Sequence, residues 1–179
     1  MRPQDRFSRL AGRLRLSPDE SAHAAVAILV RPTTDDLEFF LVKRAEALGD
    51  PWSGDMAFPG GKKTPGDRSL MDTVAREVRE ETGIDLDASR AVGFMEPLFS
   101  NMRKTLCVQP IIYRLDETPE VFLNDELTNY LWAPLTALRS SRTQATVKGW
   151  KEPVFRVGGE VVWGLTYRML EKILEMLGD

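Results

Sequence analysis

Glu77, Glu80 and Glu81 fall at i, i+3 and i+4, so a helix through them carries three carboxylates on one face within a single turn. Three like charges this close repel one another, and a cation among them relieves the repulsion. Leu70, Val74 and Val78 form an adjoining apolar edge, which sets that face against the protein interior. Carboxylates beside a buried edge suit a hard, oxygen-preferring cation, Mg²⁺ by default with Mn²⁺ as a substitute. The same residues also read as a solvated acidic helix laced with pairs of the Arg76–Glu80 kind. Gly83 ends the helix in either case, at a position suited to a left-handed residue.

The loop upstream separates these readings. Phe58-Pro59-Gly60-Gly61-Lys62-Lys63 places two glycines where backbone approaches something closely, and two lysines that offer positive charge to an anion. A Gly-Gly turn leading into a helix of carboxylates is a layout for a metal-bridged phosphate.

With these residues in place the chain resembles the Nudix hydrolase family. That family's box opens with Gly, matched by Gly61, and its second half is matched by Arg76 to Ile84, REVREETGI. Between them Asp67 replaces the first Glu, and eight residues instead of seven separate it from Arg76. The stretch GDRSL is similar in this to coenzyme A pyrophosphatase-like members. Leu41, Arg44, Ala45, Gly54 and Phe58 to Gly61 match that branch's upstream signature, although no Arg lies between Arg44 and Gly54 and the gap is one residue too long. Val108 to Ile111, Asn124 to Leu127, Leu131 to Leu135 and Val162 to Thr166 extend the likeness over nearly the whole chain.

The resemblance implies that Glu77, Glu80 and Glu81 bind a divalent metal, joined by a carbonyl of Gly60 or Gly61, and that Arg76 orients the glutamates. Water would then attack phosphorus in a pyrophosphate link, with Glu126 as candidate general base. Arg44, Gly60, Lys62 and Lys63 are the candidate substrate contacts, the lysines being open to a merely solvated role. The expected activity is Mg²⁺-dependent hydrolysis of a nucleoside diphosphate linked to another moiety, coenzyme A or its derivatives first. ADP-ribose or a nucleoside triphosphate is the alternative substrate, and a silent nucleotide-sensing module the alternative class.

These groups need a scaffold. Phe7, Leu10 and Leu14 predict a short amphipathic helix over 5–15, within an N-terminal extension of residues 1–20 that either lies on the domain or makes a homodimer contact. Strands are expected at Ala24–Val30, Leu37–Val42, Ala91–Phe94, Leu106–Tyr113 and Thr128–Trp132, and a hairpin across Gly158-Gly159. Helices are expected over 69–82 and Leu165–Leu177, a helical turn at Pro134–Leu138, and a basic loop from Arg142 to Lys151. Mixed strands and helices of this kind predict a mixed β-sheet between helices, the α/β/α sandwich of the resembled family, as one domain over 1–179 with its box at 61–84.

Composition narrows the field further. Twenty-four Lys and Arg against 27 Asp and Glu give a net charge of -3 in 179 residues, no footing for a nucleic-acid binder. Cys107 is the only cysteine, so no intrachain disulfide forms. No apolar run approaches the roughly 20 residues that span a bilayer, and Met1 to Leu16 lacks a signal peptide's apolar block, which predicts a cytoplasmic protein. P-loop, dinucleotide-binding and Gly-x-Ser-x-Gly motifs are absent.

Overall fold

The computed structural model describes residues 2–178. Met1 and Asp179, the ends of the expected domain, lie outside the described residues. In chain order the elements are α1 (Pro3–Ala11), β1 (Ala24–Pro32), β2 (Leu37–Arg44), β3 (Met56–Ala57), β4 (Gly60–Lys62), α2 (Leu70–Thr82), β5 (Ala91–Phe94), β6 (Leu98–Phe99), β7 (Cys107–Arg114), β8 (Leu127–Pro134), α3 (Leu135–Ser140), β9 (Arg142–Val147), β10 (Trp150–Val157), β11 (Glu160–Val162) and α4 (Gly164–Leu177).

β1 is apolar on both sides because both sides are covered. Ala24, Ile28 and Val30 join one core, with Phe7 and Leu10 of α1 and Leu170, Ile173 and Leu177 of α4. Ala25, Ala27 and Leu29 join the other, under Leu70, Val74 and Val78 of α2. The sheet is therefore sandwiched between α2 and the pair α1/α4, the layering expected of the fold. β7 runs parallel to β1 along one edge. The other edge is split: β2 pairs antiparallel with the end of β1, Val30 to Pro32, and β4 with its start, Ala24 to Val26. That split delivers the two glycines to the middle of the sheet, facing α2.

α2 is cut to length by its caps. The Ser69 side chain accepts from the Asp72 N–H at 3.1 Å, and Gly83 (φ 72°) returns its N–H to Arg79 O at 2.9 Å.

Two expectations need correction. Arg142 to Lys151 is no loop: β9 pairs antiparallel with β10 from Arg142↔Phe155 to Val147↔Trp150, and β10 continues to β11 across Gly158-Gly159. The ribbon is exposed along most of β9, so it lacks the apolar alternation that marks a half-buried strand. The N-terminal helix stops at Ala11, before Leu14, and Arg15 pairs with Phe94 as an isolated bridge. Phe7 and Leu10 are buried against the chain's own core, which leaves α1 lying on the domain. Among the described residues no helix is long and apolar enough to cross a membrane.

Candidate active site

β4 is the hinge of the site. Gly60 has φ 148°, and a Cβ there would stand 2.3 Å from Ala25 O, so only glycine lets β4 press against β1. A Cβ on Gly61 would meet the Glu77 carboxylate at 2.5 Å. The glycine strand and the acidic helix thus touch without an intervening side chain.

Arg76 sits inside the acidic cluster. Its Nη1 donates to Glu77 Oε1 at 2.8 Å and to Glu80 Oε2 at 3.3 Å, and its Nη2 to the Lys62 carbonyl at 3.2 Å. Asp67 grips the same guanidinium in a fork, Nε to Oδ1 at 3.0 Å and Nη2 to Oδ2 at 2.9 Å. The Thr64 N–H and the Thr64 and Thr73 hydroxyls also donate to Asp67. These donors, Arg76 foremost, hold the Asp67 carboxyl well below the usual range. The Asp that departs from the box pattern is therefore structural, fixing the arginine that in turn fixes two glutamates.

Glu81 behaves differently from its neighbours. It is 4% exposed, and its Oε2 accepts from the Gly60 N–H at 2.9 Å. Burial pushes its pKa up to about 7; the Gly60 N–H works against this, the charges of Glu77 and Glu126 add to it, and Arg44 opposes it. Glu80, by contrast, is more than half exposed at the side chain. The acidic triplet therefore does not converge as its spacing suggests. Arg76 is the cation between two of its members, and the third is turned inward onto β4. Among the described residues no three His, Cys, Asp or Glu side chains stand close enough together to hold a metal ion. The donor chemistry nonetheless fits a hard dication: the Glu77 and Glu81 carboxylates stand beside the backbone of Gly61 and Gly60, and Glu80 shares the Arg76 guanidinium with Glu77.

The remaining sequence candidates divide. Arg44 ends β2 at a bulge beside Leu127, pairs through Nη2 with Asp50 at 2.8 Å, and keeps a buried Nε without a hydrogen-bond partner. Glu126 lies next to it, its carbonyl accepting the Ala45 N–H, and its charge reaches Glu81. Lys62 is exposed at the end of β4. Lys63 is drawn off by Glu20 at 3.1 Å, and the same carboxylate accepts the Leu70 N–H at the start of α2.

On the far side of β4 lies a cavity of about 620 Å³, bordered by Gly60, Gly61, Lys62, Trp52, Trp150 and Trp163 among mainly apolar neighbours. Sequence reasoning gave Trp150, Trp163, Lys148 and Asp55 no role. Two signals were present: the Lys148-Gly149 dipeptide, a turn inside the expected loop, and the likeness over Val162 to Thr166, which contains Trp163.

Residues 21–156 match the family model described as NUDIX domain. The mitochondrial coenzyme A diphosphatase NUDT8 of Homo sapiens is 29% identical over 175 residues, which cover 92% of this chain and 72% of that protein. The uncharacterized Nudix hydrolase NudL of Yersinia enterocolitica is 29% identical over 88% of this chain and 82% of its own length. A MutT/nudix family protein from Enterococcus faecalis shares the fold with a TM-score of 0.61 at 16% identity, over 98% of this chain and 69% of the other.

Proposed function

This chain belongs to the Nudix hydrolase family, and from that premise we propose that it hydrolyses the pyrophosphate link of coenzyme A or a derivative, with a divalent cation, Mg²⁺ foremost, held by Glu77, Glu80 and Glu81 and a carbonyl of Gly60 or Gly61. One observation carries the reading. The two glycines of β4 touch the carboxylates of α2 on one side and border the large cavity on the other. A substrate with a diphosphate at its middle and bulky organic groups at its ends fits that layout, and the activity named for the human relative is of this kind. The unit proposed to do this is the single domain of residues 1–179.

When bound, the dication supplies neutralisation of the diphosphate oxygens and acidifies a water. The chain's own residues do the rest. Asp67 locks Arg76, and Arg76 keeps Glu77 and Glu80 from splaying apart. Glu126 takes the proton as water oxygen bonds to phosphorus, and the P–O bond to the bridging oxygen breaks, so that oxygen leaves with the other phosphate. Arg44, whose buried Nε lacks a partner, and Lys62 face the phosphate oxygens. Lys63, engaged by Glu20, contributes only its charge at a distance.

The test is product analysis in ¹⁸O-labelled water with Mg²⁺, across coenzyme A, ADP-ribose, NADH, diadenosine polyphosphates and nucleoside triphosphates. Dominant release of adenosine 3′,5′-bisphosphate from coenzyme A is the expected result. Faster cleavage of ADP-ribose, or clean loss of pyrophosphate from triphosphates, overturns the coenzyme A assignment.

A further inference from the structure

The cavity beyond β4 is bordered by three of the chain's four tryptophans. Two of them are engaged from within the protein: Trp163 Nε1 donates to Asp55 Oδ1 at 2.9 Å, and the Arg103 guanidinium lies over Trp52 at 5.1 Å. Trp150 stands apart. It is 72% exposed, a large indole kept in water at the cavity's edge.

The segment that carries Trp150 is fastened with some care. Trp150 opens β10 directly after the turn residues Lys148 and Gly149, whose φ values are 50° and 87°. Two successive positive φ values make a type I′ hairpin, in which Asn, Asp or Gly is the usual first residue. A lysine there is strained by its Cβ. Its reach explains the choice: Lys148 Nζ donates to Pro51 O at 2.6 Å and to Asp55 Oδ2 at 2.9 Å, and stands 5.2 Å from the Trp163 ring centre. Asp55 thus holds the hairpin tip with one oxygen and Trp163 with the other. The clasp pins β9–β10 to the 50–55 loop at the cavity, and Trp150 with it.

We propose that this clasped hairpin is the base-recognition arm of the site: Trp150 stacks on the nucleobase of the substrate, and Lys148 is the positioning residue that holds it there. The inference rests on the nucleotide-substrate reading above and adds which end of the substrate lies at the hairpin. With the diphosphate held at β4 and Arg44, an adenine reaching the cavity rim covers the open indole face, and both flat surfaces leave water together.

Calorimetric titration without divalent metal tests this, with adenosine 3′,5′-bisphosphate and 4′-phosphopantetheine as separate probes of the two substrate halves. Trp150→Ala weakens the bisphosphate about ten- to a hundred-fold and leaves phosphopantetheine unchanged, as loss of one stacking contact requires. Trp150→Phe restores binding to within about threefold, because a ring remains. Lys148→Gly keeps the positive-φ turn but loses the clasp; it raises KM for the best substrate about three- to tenfold while kcat holds. Absence of bisphosphate binding by the unsubstituted chain, equal binding by Trp150→Ala, or a loss confined to phosphopantetheine overturns the proposal. Failure to hydrolyse coenzyme A overturns the proposed substrate alone, since the binding assay needs no turnover.

Discussion

The two sides of β4 are built in opposite ways. On the α2 side, Asp67, Arg76, Glu77, Glu80 and Glu81 come from one short stretch of chain, and their charges are disposed by hydrogen bonds among themselves and to β4. On the cavity side, Trp52, Asp55, Lys148, Trp150 and Trp163 come from distant segments, joined by contacts such as Lys148–Asp55 and Trp163–Asp55, which span 93 and 108 positions. Handling charge demands a fixed local spacing, which a helix provides. Shaping a cavity for a particular substrate is left to loops and a hairpin that can vary without disturbing the chemistry.

Substitutions on the two sides should therefore fail in different ways. The largest effect is expected from Glu80→Gln, which keeps shape but removes a charged oxygen donor: kcat drops on the order of 10²-fold or more. Because the Glu80 side chain is 55% exposed, the melting temperature stays close to that of the unsubstituted chain. Near-parental turnover would separate α2 from the chemistry altogether.

Next comes Glu81, whose pKa is about 7 when folded against 4.5 for a free side chain. The folded form holds the proton more tightly, so metal-free stability is full below pH 4.5. It falls as the unfolded chain ionises between 4.5 and 7, and levels off above 7 at a loss of about 3 kcal/mol. Thermal melts across that window show the fall, Glu81→Gln flattens it, and added Mg²⁺ restores stability on the alkaline side. An unchanged slope in Glu81→Gln would place the titration elsewhere.

Asp67→Ala frees Arg76 and strips a carboxylate of which the side chain is 5% exposed. The expected cost is about 2 kcal/mol by chemical denaturation, and turnover falls about tenfold as the glutamates lose their fixed neighbour. Smallest is a change across β4: Trp163→Phe removes one hydrogen bond to Asp55, worth about 1 kcal/mol. Steady-state kinetics should show it in KM and not in kcat. A kcat defect there would erase the contrast between the two sides.

The same contrast governs what could be read in the sequence. α2 was legible to within a residue because Gly83 ends it and Leu70, Val74 and Val78 repeat at helical spacing. The apolar run Ala24–Val30 was legible as a strand of a mixed sheet between helices, and β1 is buried on both faces. The spacing of Glu77, Glu80 and Glu81 implied a shared acidic face, with either a dication or arginine pairs among the carboxylates. Helical periodicity tells which residues share a face but not which partner each one finds. Arg76, four residues before Glu80, is already such a partner, and Glu81 turns to a backbone N–H of β4. β9 was illegible for a different reason: Arg142, Thr143 and Gln144 are exposed, so no burial pattern is written into them. The Asp55 clasp joins residues that no local pattern connects.

Most direct of all is whether the acidic face of α2 takes up a divalent cation. Mn²⁺ titrated into the protein above the Glu81 titration range, and followed by electron paramagnetic resonance, should lose its free-ion signal saturably. Glu77→Gln combined with Glu80→Gln should weaken that uptake about tenfold or more, because hard cations need charged oxygen donors. A free-ion signal that persists even with adenosine 3′,5′-bisphosphate present, or uptake that ignores the double substitution, would contradict the metal assignment.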